Sequence, residues 1–512
     1  MIDVVIAGAG PCGLLLACEL GAAGIRPLVL ERLPEPSVEP KANGLVGQVV
    51  PLLDRRGLHE ELSGSAEPPR PSDSYFMFSA LPLNLGVLDR SPVYTLPVPQ
   101  RRIVEVLEQR ALELGAEIRR GTELVGMKTS EDIVTVTITG PDGDEELHAR
   151  YLVGADGAHS VTRKLSGIDF PGVSYDRTTT RTAHVTVPVE WVDPGTGALR
   201  VPGYGAIAPF VPHRTEHGGI SYAPFPGHPP LLSTTEWDQP EIAEPMCLAE
   251  LEASVARVLG APIPVRPPSG AGPHALRRLV GGNSRVAERF RHGRVFLVGD
   301  AAHVFATGGG PGLNVGLQDS LNLGWKLAAE IAGHAPPELL DSYDTERRHA
   351  AERTLTSARA QAALIAPGGD VTALREVLGE LMADESTVRR LADLVAGSDI
   401  HYDLGESGHP LVGRCAPELE LENGVRLSEL VRTARPLLLD LTGEWAELAA
   451  EWGESVDYVA GRARGDAPAS ALLLRPDSYV AWAAPNSAAH QTLRAALTRW
   501  FGIPAHHAHQ AR

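Results

Sequence analysis

Cysteine is scarce in this chain. Its 512 residues contain four, Cys12, Cys18, Cys247 and Cys415, with no C-x-x-C pair and no spacing that suits a metal. A disulfide framework and a metal cluster are therefore not expected, and a reducing cytoplasm fits best. Positive charge is also in short supply. Lys and Arg number 46 against 64 Asp and Glu, for a net charge of −18, which argues against nucleic acid or an anionic membrane surface as a partner. The acidity reads as solubility. No apolar run reaches the roughly 20 residues that a membrane span needs. The first run, Met1 to Ala9, carries Asp3, lacks a basic start and leads into a glycine-rich turn, so it does not read as an export signal. No internal repeat is visible.

What is present is a long chain of ordinary globular composition, 43% hydrophobic and 21% charged, with 53 Gly and 42 Pro that point to many tight loops. The length allows two to four domains. Residues 2–31 read as strand, turn, helix and strand: a continuous apolar run, helical spacing of Leu14, Leu15, Cys18 and Leu20, then Pro27-Leu28-Val29-Leu30. A helix over 101–114 and strands at 117–119 and 133–138 continue the α/β pattern. From about 176 to 275 prolines and alternating Thr/Val runs, such as 183–189, suggest a sheet-rich insert without long apolar helices. The α/β character returns at Val295 to Val298 and runs into a helix from about Asn314 to Ala332. A C-terminal unit follows, with strands expected at 431–441, 455–460, 470–474 and 479–484 and a helix near 488–501. The expected domains are thus 1–175 with 276–400, the insert 176–275, and 401–512.

Three motifs carry chemistry. Gly8-Ala9-Gly10-Pro11-Cys12-Gly13, with Glu31 placed 18 residues beyond Gly13, is the strand–turn–helix signature for a dinucleotide. Gly8 permits the turn, Gly10 lets backbone approach a pyrophosphate, Gly13 lets helix pack on strand, and Glu31 can accept from ribose hydroxyls. Gly154-Ala155-Asp156-Gly157 and Gly299-Asp300-Ala301-Ala302-His303, the latter followed by Gly312-Leu313-Asn314 and Asp319, decide which dinucleotide. An Asp closing a buried strand can accept from the ribityl hydroxyls of a flavin. The helix start near Asn314 can face the pyrimidine edge, where negative charge develops on reduction. FAD is therefore the expected cofactor.

With these motifs in place, the chain resembles the single-component aromatic hydroxylases, the p-hydroxybenzoate hydroxylase class of flavoprotein monooxygenases. Within it, the sequence is most similar to the hydroxylases that tailor aromatic polyketides and to the rifampicin monooxygenases. The resemblance extends to His409–Gly413, Leu473–Asp477 and Val480–Ala484, which look like that group's thioredoxin-like third domain. The fold implied is a Rossmann-type FAD domain, a sheet-rich substrate insert and a thioredoxin-like C-terminal domain. Because that last domain lacks C-x-x-C, a structural or oligomerisation role is expected of it, with a homodimer among the assemblies left open.

The resemblance also implies residue roles. Glu31 and Arg32 flank the adenosine ribose and pyrophosphate, Lys41 stands where an Arg is usual, and Gln100 lies near the ribityl chain. Leu124 is an adenine-side backbone contact, the Asp156 segment serves FAD and NAD(P)H, Asp300 holds the ribityl, and Gly312, Leu313 and Asn314 meet the isoalloxazine. Gly8, Gly10, Pro11, Cys12 and Gly13 hold the pyrophosphate. No second glycine-rich turn exists for NADPH or NADH, which is then a transient reductant, and O2 is the co-substrate. The implied reaction runs through a flavin C4a-hydroperoxide and needs no side-chain nucleophile and no metal. Phe76, Phe78, Tyr204, Phe210, Tyr222 and Phe225 are candidates for a polycyclic aromatic substrate, with His213, His217 and His303 as candidate relays.

One stretch departs from the group. Between His303 and Gly312 the usual prolines are replaced by Ala306 and Thr307, and Pro311 appears instead. Since this backbone should line the reacting edge, oxygen insertion or oxidative rearrangement stays open beside hydroxylation, as does inactivation of an antibiotic. A nicotinamide dehydrogenase, a flavin halogenase or reductase, and a non-catalytic binding protein are the competing readings. The first has no use for the Gly299–Asn314 segment, and the second lacks its W-x-W-x-I-P signature here.

Overall fold

The computed structural model describes residues 1–39, 41–225, 227–270, 272–306, 310–405, 408–484 and 490–502. Its first sheet has eight strands. Ile2–Ala7 lies between Leu28–Glu31 and Gly143–Gly154, with Glu117–Arg120 beyond one and Val295–Leu297 beyond the other, all parallel. The continuous apolar run of the first strand has a physical cause. Val4 and Ile6 enter the core on one face of the sheet, while Val5 and Ala7 enter a second core on the other. A strand covered on both faces has no polar side to show. Burying each of the valine and isoleucine side chains is worth about 1.5–3 kcal/mol.

Pro11–Ala22 and Pro311–Ile331 cover one face of this sheet. Both begin with Pro at the first turn, where the missing N–H would have had no helical partner anyway. The second starts three residues before the expected Asn314. The helix expected over 101–114 spans Gln100–Glu113. Asp341–Ile365, Gly369–Leu381 and Glu385–Ala396 complete the helical region.

The insert is a five-stranded antiparallel sheet in the order His213–Thr215, Gly218–Ala223, Leu231–Trp237, Thr178–His184, Leu276–Val280. Three expectations change here. The strand expected at 183–189 ends at His184, and Pro188 instead precedes a short 3-10 turn at Val189–Trp191, because proline has no N–H for a ladder. The insert also reaches Val280 rather than 275, since Leu276–Val280 pairs with Thr178–His184. Finally, Leu248–Leu259 is an amphipathic helix packed on this sheet, where none was expected. It is tied down by buried Arg181, which bonds Glu236 and the helix's Glu250, each at 2.7 Å.

The C-terminal unit is a four-stranded sheet, Asp457–Ala460, Leu437–Asp440, Ala471–Leu474, Val480–Ala483, parallel in its first pair and antiparallel thereafter, with His490–Phe501 packed on it. This is the thioredoxin-like arrangement. The strand expected at 431–441 is shorter because Leu427–Leu430 is helical and Ala434 turns the chain at φ 54°. Two buried arginines fasten the unit to the flavin domain. Arg56 bonds Glu19 at 2.7 and 2.9 Å and the Pro476 carbonyl at 2.7 Å. Arg475 bonds both oxygens of Glu346 at 2.7 Å. No described helix is long and apolar enough to cross a membrane, and no group of described His, Cys, Asp or Glu is arranged for a metal.

Candidate functional site

Three adjacent parallel strands end at the same edge of the large sheet, each in one of the three motifs. Ile2–Ala7 runs into Gly8, Gly143–Gly154 into Asp156, and Val295–Leu297 into Gly299-Asp300. Loops at this edge are where open α/β sheets bind ligands. The turns touch. Gly8, at φ 110°, has no room for a side chain: a Cβ there would lie 2.4 Å from the Ala155 carbonyl oxygen. Cys12 sits against the third loop, so that a Cβ at Gly299 or Gly316 would lie 2.7 Å from its Sγ. Burial, then Asp300 and Asp319, push the Cys12 thiol well up, so it is an inert packing group rather than a nucleophile. Gly10 differs from its neighbours. Its backbone is ordinary extended chain (φ −78°, ψ 176°), yet a Cβ there would meet no atom within 4 Å. The space in front of this helix start is open.

The two aspartates differ in kind. Asp156 is satisfied within its own loop: one carboxylate oxygen accepts from Ser160 Oγ at 2.5 Å, the other from Thr162 N and Oγ1 at 2.9 and 3.0 Å. Its carboxylate therefore holds the start of the Val161–Leu165 helix and so shapes the loop expected to serve the cofactors. Asp300 has no hydrogen-bond partner among the described residues. It is solvent-accessible but set in a concavity, where loss of water raises its carboxyl above the usual range against the opposing pull of His303 and Lys41. Its Oδ1 lies 3.5 Å from where a Gly312 Cβ would stand, at the start of Pro311–Ile331. An unpaired carboxylate beside a helix N-terminus and open space suits a polyhydroxylated chain.

The other expected cofactor residues fall around these loops. Glu31 accepts from Ala9 N of the glycine-rich turn and from Leu33 N, both at 2.9 Å, so the ribose acid is already oriented. Arg32 is exposed and forms no ion pair among the described residues. Gln100 and Ala42 bond each other's backbone and side chain (2.8 and 3.5 Å), which sets the Lys41 loop beside the Gln100–Glu113 helix. Leu124 is buried, two residues beyond Thr122, whose N–H bonds the Glu31 carbonyl at 2.9 Å. Asn314 is buried and accepts from Val46 N at 3.0 Å. Leu313 packs at the edge of the core.

His303 is fully buried and bonds Asp319 at 2.7 Å, with its ring stacked on Phe305. It is held in the interior, not at the reacting edge. Ala306 is tied to Ser284 Oγ at 3.0 Å. Thr307 lies outside the described residues.

The substrate candidates divide. A cavity of about 510 Å3 lies between the insert and the flavin domain, lined by Tyr75, Met77, Val211, His213, Arg214 and Arg375 among others. On the Tyr75–Phe78 strand, alternate side chains face opposite ways. Tyr75 and Met77 line the cavity, while Phe78 is buried and Phe76 packs against an interior cluster. Tyr222 is likewise core, 2% exposed, and Tyr204 packs beside it. Phe78 and Tyr222 are therefore core residues, whereas Phe76 and Tyr204 are partly buried. Phe210 and Phe225 remain: they form an edge-to-face pair at 5.1 Å, and Phe210 is 51% exposed at a left-handed φ of 62°. A bulky residue held in that region stores strain, a common mark of a functional surface. His213 accepts from Ala208 N at 3.0 Å, and burial lowers its pKa, so it is neutral and structural. His217 is exposed in a hairpin turn.

Sequence reasoning gave no separate role to Arg163, at the end of the second motif, which links the second and third loops by donating to the Ala301 carbonyl at 2.8 Å and the Ala158 carbonyl at 3.0 Å. It missed Arg347, which bonds Asp319 at 2.7 Å. The signal was available for the latter. Tyr343, Glu346, Arg347, Ala350 and Ala351 share one face of their helix, so charge sits on the buried stripe.

These residues fit FAD. The open space at Gly10, the oriented Glu31 and the unpaired Asp300 lie at one sheet edge, and each would otherwise lack a purpose. Comparison with known proteins agrees. The FAD binding domain profile matches residues 1–358, and that of the aromatic-ring hydroxylase C-terminal domain matches 409–504. A 12-dehydrotetracycline 5-monooxygenase/anhydrotetracycline 6-monooxygenase from Streptomyces rimosus is 42% identical over 98% of this chain and 99% of its own. A rifampicin monooxygenase from Streptomyces venezuelae is 36% identical over 98% and 99%. The solved structure of an anhydrotetracycline hydroxylase from Streptomyces rimosus superposes with a TM-score of 0.85, at 40% identity over 98% of this chain and 99% of that one.

Proposed function

The chain belongs to the FAD-binding aromatic-ring hydroxylases, a family of flavoprotein monooxygenases, and from that premise we propose that it hydroxylates a polycyclic aromatic polyketide in antibiotic biosynthesis. The observation that carries the substrate reading is the likeness, over nearly the whole chain, to monooxygenases named for anhydrotetracycline and rifampicin, and an open cleft between insert and flavin domain supports it. Its size, about 510 Å3, falls in the range of small-molecule sites, and its walls are largely apolar.

FAD, when bound, supplies acceptance of hydride from NAD(P)H and activation of O2. The chain's own residues do the rest. Gly10 admits the pyrophosphate to the start of Pro11–Ala22, Glu31 receives ribose hydroxyls, and Asp300 receives the ribityl chain. The N-terminal end of Pro311–Ile331 favours negative charge placed against it. At the cavity, Arg214 and Arg375 bond only carbonyls and a threonine hydroxyl, with no carboxylate partner. Burial and Arg214 together lower the Arg375 pKa. A wall with two uncompensated cations favours an ionised phenol, and ionisation activates the ring carbons that receive oxygen. The need for NAD(P)H supports a cytoplasmic setting for the reaction.

A second reading, oxygen insertion beside a ketone, is favoured by one feature: Ala306 stands in the stretch where the resembling enzymes carry proline. One experiment separates these outcomes. Purified FAD-loaded protein is incubated with NADPH or NADH and tetracyclic polyketide intermediates, while NAD(P)H oxidation and product mass and connectivity are followed. Substrate-stimulated oxidation with one oxygen added as a ring hydroxyl is expected. An inserted ring oxygen would support the second reading, and no stimulation by any phenolic polyketide would overturn the substrate class.

A further inference from the structure

The C-terminal unit has no dithiol, yet it is joined to the flavin loop by an unbroken line of buried polar bonds. The line starts at Gly299, whose N–H donates to Asp319 Oδ2 at 3.1 Å; His303 Nε2 meets the same oxygen at 2.7 Å. Arg347 Nε donates to Asp319 Oδ1 at 2.7 Å, and its other nitrogens reach Tyr402 Oη at 2.7 Å and the Val315 carbonyl at 3.0 Å. Tyr402 belongs to the C-terminal core, where it stacks on Tyr479 with ring centres 4.2 Å apart. Asp319, His303, Arg347 and Tyr402 are each at most 2% exposed. Burial alone would raise the Asp319 pKa, but His303 and Arg347 hold it below the usual carboxylate range.

The neighbouring residue strengthens the link. Glu346, adjacent to Arg347 on one helix, accepts from Arg475 of the C-terminal unit, and Arg475 also bonds Asp477. One helix turn therefore grips the C-terminal unit with Glu346 and passes the connection on through Arg347. At the far end, Asp300 lies between two anchored neighbours. Gly299 is fixed by Asp319 and by its contact with Cys12, and Ala301 by Arg163. With no hydrogen-bond partner among the described residues, Asp300 stands where these anchors put it.

We propose that the C-terminal unit positions the Gly299–Ala301 loop through Tyr402, Arg347 and Asp319, so that a domain remote from the chemistry sets the placement of the Asp300 carboxylate. These three are positioning residues. The inference rests on the reading that Asp300 holds the FAD ribityl chain. In water-poor surroundings a bond to a charged group is worth more than at the surface, and an orphaned guanidinium reorganises. Lysine in place of Arg347 keeps the charge but cannot bridge three acceptors in one plane.

The test uses full-length protein in four forms: wild type, Tyr402→Phe, Arg347→Lys and, as a control, Trp445→Phe, which alters the C-terminal core away from this line. FAD affinity is measured by titrating the apo protein and following flavin fluorescence, alongside the visible spectrum of the bound flavin and apo Tm. Tyr402→Phe is expected to weaken FAD about tenfold and to shift the flavin bands, with Arg347→Lys weaker still. Trp445→Phe should lower Tm without moving either flavin readout. Unchanged affinity and spectrum in Tyr402→Phe would overturn the proposal even if Arg347→Lys failed to fold. An equal loss in Trp445→Phe would overturn it too, reducing the effect to general stability. Wild-type protein that refuses FAD would instead overturn the flavin reading itself.

Discussion

Two loops at the edge of the same sheet each follow a parallel strand, and each carries an aspartate beside a glycine, yet they are built in opposite ways. The loop after Gly143–Gly154 turns its aspartate inward. Asp156 takes three hydrogen bonds from Ser160 and Thr162, which commit most of its acceptor capacity to its own loop. The loop after Val295–Leu297 turns its aspartate outward, anchors the residues on either side, and leaves Asp300 unpaired in a concavity. The contrast shows that an acidic residue at a strand end is not in itself a binding group. What marks the ligand-facing one is an accessible carboxylate with no partner among the described residues, held between two anchored neighbours.

Replacing each aspartate should break the comparison in different observables. The largest effect falls on the fold. Asp156→Ala removes a charged helix cap and orphans the Thr162 N–H, and apo protein is expected to lose about 3 kcal/mol in denaturant unfolding. Asp300→Ala should do the reverse, weakening FAD about a hundredfold through two lost charge-assisted bonds while apo Tm does not fall. A drop in apo stability there as large as that of Asp156→Ala would erase the distinction. Arg163→Met, which cuts the tie between the loops, is expected to show both effects at intermediate size, about 1.5 kcal/mol in stability with weaker FAD binding.

The smallest effect is one of pH. Burial raises the Asp300 pKa in the folded apo protein, so the fold binds more protons than the unfolded chain near and above pH 3.8. Its contribution is therefore favourable below the unfolded value and is lost as pH rises through the folded one. Asp300→Asn should match wild-type apo Tm in acid and exceed it at neutral pH. A gap that closes as pH rises would contradict the sign.

Much of this was legible in the sequence. The glycine-rich turn, its helix and Glu31 fall where spacing placed them, because turn geometry and a doubly covered strand leave few alternatives. What was not legible depended on facing. Tyr75-Phe76-Met77-Phe78 is apolar on both sides, so period-two alternation could not say which pair lines the cavity. Asp156 and Asp300 look alike as motifs, and only the partners of the first separate them. Glu346 and Arg347 lie on the buried stripe of their helix, but the groups they bond, Arg475 and Tyr402, arrive from far along the chain, so their partners could not be read locally. The Leu248–Leu259 helix was hidden by flanking prolines and by the strand-like character of its surroundings.

The central claim, that the three loops form an FAD site, is tested most directly at Gly10, the one turn glycine whose added Cβ would meet open space rather than protein. Apo wild type and Gly10→Val are titrated with FAD by calorimetry, with Tm measured on the same samples. Wild type should bind one FAD per chain, while Gly10→Val keeps its Tm and binds none. A Gly10→Val protein that binds FAD as wild type does, or a wild type that binds none, would contradict the account.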